Sequence, residues 1–222
     1  MNFLRGITAV LTKDLQAELR SRYAINTVMA FVGASLLLIL FALNAERLPP
    51  TPQSALVWIV ILFAALSSLS RSFVAETDRK TFDLMRLHGK ASEIFIGKLC
   101  YNYLFTLSVN VATFLLYIFL LGMPIADGTA FVLVLILGTA GLSGVSTMLG
   151  AIVSQADRKG AIFSVLSIPL LFPLILILVR TTKAALIEGF TENYLNDFWA
   201  LLGYAGVTIT AGILLFDYIW ED

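Results

Sequence analysis

The fold of this chain is decided by residues 23–45, which read YAINTVMAFVGASLLLILFALNA and contain no charged side chain. A helix needs ~20 apolar residues to cross the hydrocarbon core of a membrane, where a central charge is costly. Residues 36–43 are apolar throughout, whereas a strand of a membrane β-barrel would alternate in polarity. The stretch therefore predicts a transmembrane helix.

Five more stretches of at least 19 residues also lack charge: 48–70, 99–126, 128–156, 160–179 and 198–216. The whole chain has 222 residues, of which 59% are hydrophobic and 14% charged. One soluble core cannot bury so much apolar surface. We predict an all-α, polytopic membrane protein with six transmembrane helices, in which residues 1–222 form a single domain.

The basic residues predict how the chain is oriented. Twelve of the fifteen Lys and Arg residues fall within residues 5–22, 71–98 and 158–159, and the other three are Arg47, Arg180 and Lys183. Because cytoplasmic loops are enriched in Lys and Arg, both termini and residues 72–97 are predicted to be cytoplasmic. The formal net charge is zero, so bulk electrostatics gives no reason to expect nucleic acid as a partner.

The segment before the first span has the pattern of an amphipathic helix. Leu4, Ile7, Leu11, Leu15 and Leu19 recur three or four residues apart, and charged residues fall largely on other faces. Such a helix can lie in the membrane interface, with its leucines among the lipids. The alternative is that it packs against its own bundle.

Two prolines mark the fifth stretch. Pro169 and Pro173 lie four residues apart, so two backbone donors are lost on one helix face and a bend or break is expected. This site is either a hinge or a static kink filled by neighbouring helices. Residues 181–197, which mix apolar and charged side chains, are predicted to form short amphipathic or re-entrant helices on the external side.

Small and polar side chains in the spans favour packing between helices. Ala140 and Gly144 lie four residues apart, a spacing that lets two backbones approach closely. Asn102, Asn110 and Thr139 are candidates for hydrogen bonds between helices. None of these patterns indicates catalysis.

Motifs for several kinds of chemistry are missing from the sequence. It has no Gly-x-x-x-x-Gly-Lys-Ser/Thr loop for nucleotide phosphates, no His-Glu-x-x-His and no Gly-x-Ser-x-Gly. Any ATP must therefore be hydrolysed by another chain, and we do not expect an enzyme. Apart from Cys100 the spans carry no Cys or His, so no axial ligand for heme and no metal site is evident in them.

The second connection carries the most specific pattern. Residues 71–87 read RSFVAETDRKTFDLMRL, and Gly97-Lys98 follows at the start of span three. An acidic pair, a threonine, an acidic residue and a leucine, then Gly-Lys, resemble the loop between helices two and three of ABC-2-type permeases. That loop holds a cytoplasmic coupling helix, which contacts the ATPase. The resemblance implies an ATPase-coupling role for Glu76, Asp78, Thr81, Phe82, Asp83, Leu84, Arg86 and Leu87. The charge pattern alone favours a plain charged cytoplasmic loop, and only the resemblance favours docking to an ATPase.

A second set of motifs narrows the resemblance. Leu137-Gly138-Thr139 is followed by Arg158-Lys159-Gly160 and by LSIPLLFPLI at residues 166–175. Over the whole chain, this order of elements resembles the heme exporter protein B (CcmB) family, the permease of the cytochrome c maturation system. The implied domain is a single ABC-2-type permease domain in a bacterial inner membrane.

The resemblance also implies partners and a role. The partners are an ABC ATPase subunit (protein A of the system), membrane proteins C and D, the heme chaperone E and membrane lipids, in an oligomeric complex. ATP acts through the partner subunit, and heme is the substrate of the complex rather than a bound cofactor. The work is either heme export or ATP-driven release of the heme-loaded chaperone. The alternatives are an ABC-2-type exporter permease for a lipid, drug or polysaccharide, or a membrane scaffold without transport.

Overall fold

The computed structural model describes residues 3–43, 48–69, 73, 76, 81–154, 159–187 and 192–221. Within these residues the regular structure is all helical, as predicted. In chain order the helices are α1 (Phe3–Ser21), α2 (Tyr23–Leu43), α3 (Pro50–Leu69), α4 (Phe82–His88), α5 (Ala91–Leu121), α6 (Gly128–Ser154), α7 (Lys159–Ile187) and α8 (Glu192–Glu221).

Five of these helices are long and apolar enough to cross a membrane. They are α2, α5, α6, the part Val165–Ile187 of α7 and the part Leu195–Trp220 of α8. The remaining predicted span corresponds to α3, whose described apolar part, Pro50–Leu66, is shorter. At ~1.5 Å per residue that part covers about 25 Å, slightly less than a hydrocarbon core of ~30 Å. The protein is therefore an integral membrane protein, and the count of six spans stays a prediction.

A single residue separates α1 from α2. Arg22 adopts the left-handed conformation with φ 52°, which few residues other than glycine adopt. The Glu18 carboxylate accepts a hydrogen bond of 2.9 Å from the backbone N–H of Ile25, in the first turn of α2. An acidic side chain is favourable there because helix N-termini carry unpaired N–H groups. The amphipathic segment and the first span are thus two separate helices joined at Arg22.

The central helix of the bundle is α6, which packs against α3, α5, α7 and α8. Its small residues face larger side chains of its neighbours. A Cβ at Gly141 would lie 2.9 Å from Leu174 Cδ1 of α7, and one at Gly144 would lie 2.9 Å from Thr208 Oγ1 of α8. The predicted close packing at Gly144 is therefore present, and it surrounds α6 with other helices.

The helix α5 begins earlier than the charge-free stretch from residue 99 suggested. It starts at Ala91, so Glu93 and Lys98 lie within the helix, and it ends before Gly122, which has φ 62°. Glu93 and Lys98 are both buried although they are charged. The first two turns of α5 therefore carry charge into the interior at the end of the bundle where α4 lies.

Residues 181–197 do not form separate short helices. Residues 181–187 continue α7 to Ile187, and residues 192–197 open α8, while residues 188–191 lie outside the described part. Lys183 lies in the last turns of α7 and Asp197 in the first turns of α8, so these charges are accommodated within the two long helices. The loop before α6 supports this end, because the backbone N–H groups of Ala126 and Asp127 both donate to the Ala185 carbonyl.

Candidate coupling site

A buried cluster of charges lies where α1 crosses the start of α5. The side chain of Lys98 is only 1% exposed, and its Nζ lies 3.0 Å from Asp14 Oδ2 and 3.4 Å from Glu76 Oε1. The same ammonium lies 5.2 Å from the centre of the Phe73 ring. A lysine this deeply buried stays charged only when it is paired. Asp14 and Glu76 supply the negative charges, so the cluster joins α1, α5 and the segment before α4.

Glu76 is the centre of this cluster. Lys13 Nζ and the Thr81 hydroxyl both donate hydrogen bonds to its carboxylate. The Thr81 backbone N–H donates to the Glu76 carbonyl oxygen at 3.0 Å. Burial by itself would raise the pKa of Glu76, but Lys98, Lys13 and Thr81 outweigh it and lower this pKa from 4.5 to about 2. Glu76 is therefore an anion at neutral pH, and it ties the residue before α4 to α1 and α5.

The close approach of α1 and α5 depends on glycine. A Cβ at Gly97 would lie 2.7 Å from Val10 Cβ and 3.0 Å from the Ile7 carbonyl oxygen. A Cβ at Gly6 would overlap the carboxylate of Glu93. Small residues let helices of membrane proteins approach closely. Without that approach, Asp14 could not reach the ammonium of Lys98.

The amphipathic helix α1 therefore has two different faces. One face packs on α5, which is the alternative considered for this segment. Leu4 and Leu19 lie on the other side, with 72% and 64% of their surface exposed. Exposed leucines on one face of a helix favour contact with lipid. The interfacial position of α1 stays a prediction, and it is compatible with its packing on α5.

The short helix α4 is fastened to the end of α8. Arg86 Nη2 donates a hydrogen bond of 2.9 Å to the Ile219 carbonyl oxygen. Its guanidinium lies 5.3 Å from the centre of the Phe82 ring and 5.9 Å from that of Trp220. The rings of Phe82 and Trp220 meet edge to face at 5.4 Å, a preferred aromatic geometry. A displacement of α4 would therefore act on α8 as well as on α1 and α5.

The profile of the CcmB protein family matches residues 5–216. The chain belongs to the CcmB family. Membership makes it a membrane permease subunit of a heme-exporter ABC system. Comparison with curated protein sequences gave no match.

The structure separates the eight predicted coupling residues of this CcmB-family chain into groups. Glu76 and Thr81 bond to each other within the charged cluster, and Phe82 and Arg86 contact Trp220. Leu87 is 80% exposed. The other three predicted residues are not assigned to a group. Asp78 lies outside the described residues, and the side chains of Asp83 and Leu84 are not among those described.

Three charged residues of the cluster did not belong to the predicted site. Lys13 and Asp14 were assigned to the polar faces of α1, and Lys98 was noted only as part of Gly97-Lys98. A buried lysine next to a glycine at the start of a span is a signal of a paired charge, because an unpaired one is too costly there. The sequence gives no sign of which acidic residues pair with it.

A polar seam joins α5 and α6 through the middle of the bundle. Asn102 Nδ2 donates to Thr147 Oγ1 at 2.8 Å, and Asn110 Nδ2 donates to Thr139 Oγ1 at 2.9 Å. Asn110 follows Asn102 by eight residues on α5, whereas Thr139 precedes Thr147 by eight residues on α6. This confirms the expected hydrogen bonds between helices and fixes the antiparallel register of α5 and α6.

The helix α7 runs without interruption through Pro169 and Pro173. The hydroxyl of Tyr204 on α8 donates to the Leu170 carbonyl oxygen, between the two prolines. A proline removes one backbone donor, so neighbouring helices often bond the carbonyls nearby. The expected break is therefore not present, and the hinge and the static kink both stay predictions.

The described residues include no cluster suited to a metal ion. No three side chains of His, Cys, Asp or Glu in that part of the chain come together in a way that could hold a metal ion. In the charged cluster, Lys98 and Lys13 both contact carboxylates of this chain, so their charges are paired within the protein. The arrangement is suited to transmitting a displacement between helices.

Proposed function

We propose that this chain is the permease subunit through which a separate ATPase subunit drives a step of cytochrome c biogenesis. The observation that carries the proposal is the position of α4. The charged cluster connects the residue before α4 to α1 and α5, while Phe82 and Arg86 connect α4 to α8. An ATPase that pushes or pulls on α4 would therefore displace three helices of the bundle together.

Leu87 is the proposed contact with the ATPase. It is 80% exposed on a short helix whose other described side chains largely face the bundle. Helical segments bind partner grooves through exposed apolar anchors, and charged residues nearby select the partner. Glu76, in contrast, holds α4 in place, so its contribution to coupling is indirect.

For the work of the complex, we propose ATP-driven release of the heme-loaded chaperone. Heme is usually held by axial His, Cys, Met or Tyr ligands. This chain has five Met and seven Tyr, but it has only one histidine, His88 in the coupling segment, and one cysteine, Cys100. The scarcity of His and Cys supports a mechanical role, with heme held by membrane proteins C and D or by chaperone E.

The proposed location is a bacterial inner membrane, with six spans and both termini in the cytoplasm. Twelve of the fifteen basic residues fall in the segments assigned to the cytoplasmic side, and α1, α4 and the cluster that joins them belong to that side. A narrow bundle of this size supports assembly with further membrane subunits, because transport paths commonly form between bundles or repeats.

The function is tested by deleting the gene in its host. Covalent heme on c-type cytochromes should disappear and should return with the wild-type gene. In the deletion strain, heme-loaded chaperone should accumulate if release is the step, whereas chaperone without heme indicates heme export. Normal cytochromes in that strain would contradict the proposal and favour a permease for a lipid, drug or polysaccharide.

The ATPase contact is tested by co-purification with Leu87→Asp. The matched control is Gln16→Asp, which adds the same charge at an exposed position of α1. We expect the ATPase to be lost with Leu87→Asp and kept with the control. Equal recovery with both variants contradicts docking at α4. Glu76→Lys is unsuitable as a test, because it would add a third cation beside Lys13 and Lys98.

A further inference from the structure

Four buried side-chain oxygens on α5 have no hydrogen-bond partner, and two of them lie near the middle of the helix and beside the same cavity. These two are Thr106 Oγ1 and Asn110 Oδ1, on side chains that are 2% and 0% exposed. A buried polar group without a partner costs about 1–3 kcal/mol, so native structures nearly always satisfy it. These two oxygens therefore require an explanation.

Thr106 differs from other buried threonines in the bundle. Thr113, Thr139, Thr147, Thr181 and Thr208 each donate to the carbonyl oxygen four residues earlier. This local bond is the usual solution for a threonine in an apolar helix. The hydroxyl of Thr106 makes no such bond to Asn102, so it is available to another acceptor or donor.

The orientation of the Asn110 amide is determined by its neighbour. The hydroxyl of Thr139 donates its hydrogen to the Leu135 carbonyl, so it can only accept from Asn110. The NH₂ group of Asn110 must therefore face Thr139, and its oxygen Oδ1 must face elsewhere. This assignment follows from the hydrogen-bond network, which is the proper basis for placing an amide.

A small cavity lies beside both residues, between α2, α3 and α5. Its volume is about 10 Å³, and its lining comprises Thr106, Asn110 and apolar side chains of the three helices: Val28, Ile61, Ala64, Ala65, Phe105 and Val109. A cavity needs roughly 10–15 Å³ to hold one water molecule, and the water needs polar partners. Both conditions are met at this place.

We propose that this cavity binds a single structural water molecule. The water donates to Asn110 Oδ1 and accepts from the Thr106 hydroxyl. Side chains four residues apart on a helix are neighbours at ~6 Å, which one water can bridge with two hydrogen bonds of ~2.8 Å. The site satisfies two oxygens that this chain leaves unpaired at the midpoint of α5.

The size and chemistry of the site select water over other ligands. A cation such as Ca²⁺ needs six to eight oxygen ligands and Mg²⁺ needs about six, whereas the cavity offers two side-chain oxygens and no carboxylate. An organic molecule does not fit a volume of about 10 Å³. The proposal is independent of the proposed transport function, since it concerns only the packing of α2, α3 and α5.

The test is water-edited solid-state NMR on the isotope-labelled protein in liposomes. Magnetisation from water should reach Thr106 and Asn110 early. Thr113 is the internal control, because it is also buried on α5 but bonds to the Val109 carbonyl. Ala64→Val fills the cavity and should abolish the early transfer, and Thr106→Val removes one partner and should reduce it at Asn110.

Early transfer to Thr106 and Asn110, lost in Ala64→Val, supports the water site. Transfer to Thr106 that is as slow as transfer to Thr113 overturns it. Early transfer that persists in Ala64→Val also overturns it, since the path then does not lead through the cavity. If Ala64→Val does not fold, the comparison of water transfer to Thr106 and to Thr113 in the wild-type protein still tests whether the water is present.

Discussion

Lys98 Nζ on α5 lies 3.0 Å from Asp14 Oδ2 on α1, and this pair links the amphipathic helix to the first turns of a span. Glu76 Oε1 lies 3.4 Å from the same ammonium. One buried cation thus holds two carboxylates that are distant in sequence. The proposed coupling helix α4 begins a few residues after Glu76, so its position depends on this cation.

We expect Lys98→Met to destabilise the protein by as much as about 3 kcal/mol, because it leaves the carboxylates of Asp14 and Glu76 with Lys13 alone as a counter-charge. Lys90→Met is the control, since Lys90 is exposed before α5. Thermal unfolding in detergent should show a lower Tm for Lys98→Met only. Equal Tm values for the two variants would contradict a buried pair.

The charge on Glu76 predicts a pH dependence of stability. Its pKa is lowered from 4.5 to about 2 in the folded protein, so the folded state holds its proton less tightly than the unfolded state. The stabilisation is present above the unfolded pKa and is lost as pH falls from about 4.5 to 2. The Tm difference between wild type and Glu76→Gln should shrink over this range. Lys13 and Lys98 face Glu76, and Asp14 contacts both lysines. A constant Tm difference would mean that these charges do not perturb the pKa of Glu76.

Gly97→Ala should destabilise the contact between α1 and α5. The added methyl group would lie 2.7 Å from Val10 Cβ, and overpacking of this kind costs about 1–3 kcal/mol. Gly203→Ala is a matched control on α8, because a Cβ there meets no atom within 4 Å. The control should stabilise its helix by about 0.5–1 kcal/mol. Thermal unfolding measures the Tm of both variants. An unchanged Tm for Gly97→Ala would show that α1 can shift away from α5 to accommodate the methyl group.

The hydrogen bond between Asn110 and Thr139 should give a measurable coupling energy. Such bonds between membrane helices average about 0.6 kcal/mol and reach about 1.7 kcal/mol. A double-mutant cycle with Asn110→Leu and Thr139→Val measures it by unfolding. The control cycle pairs Asn110→Leu with Thr147→Val, which contacts Asn102 instead. Equal coupling energies in the two cycles would contradict a direct hydrogen bond between Asn110 and Thr139.

The prolines of α7 predict a functional effect if they form a hinge. Replacing Pro169 and Pro173 by Ala restores two backbone donors and stiffens the helix. Heme on c-type cytochromes should then decrease while the amount of protein in the membrane is unchanged. Undiminished cytochrome maturation would show that the prolines form a static kink. Tyr204→Phe, which removes the donor to the Leu170 carbonyl, tests the contact that holds this turn.

Much of the architecture could be predicted because apolar length is a local property of the sequence. The charge-free stretches at residues 23–45 and 128–156 correspond to α2 and α6. The helical spacing of leucines predicted α1, although it could not show that Asp14 faces α5. The helix α7 continues beyond residue 179 and α8 begins before residue 198, because charged residues are tolerated in helical turns beyond the membrane core.

The charged cluster could not be predicted from the sequence, because its members come from three separate segments. Lys98 needs a carboxylate, but the chain has fifteen acidic residues and no rule of spacing selects Asp14 and Glu76. The family resemblance located the segment around Glu76 without showing which side chains face inward. Which side chains face inward depends on the packing of α1 against Gly97, which the sequence alone does not show.

The two equivalent bonds of the seam between α5 and α6 resist sliding. If α5 slipped by one turn in one direction, Asn102 would face Ser143 and Asn110 would face Leu135. In the other direction Asn110 would face Ser143 and Asn102 would face Ala151. Either shift leaves one amide against an apolar side chain, at the cost of a buried polar group. The two bonds should therefore keep α5 and α6 in register, so that a displacement of α5 driven by ATP moves α6 with it.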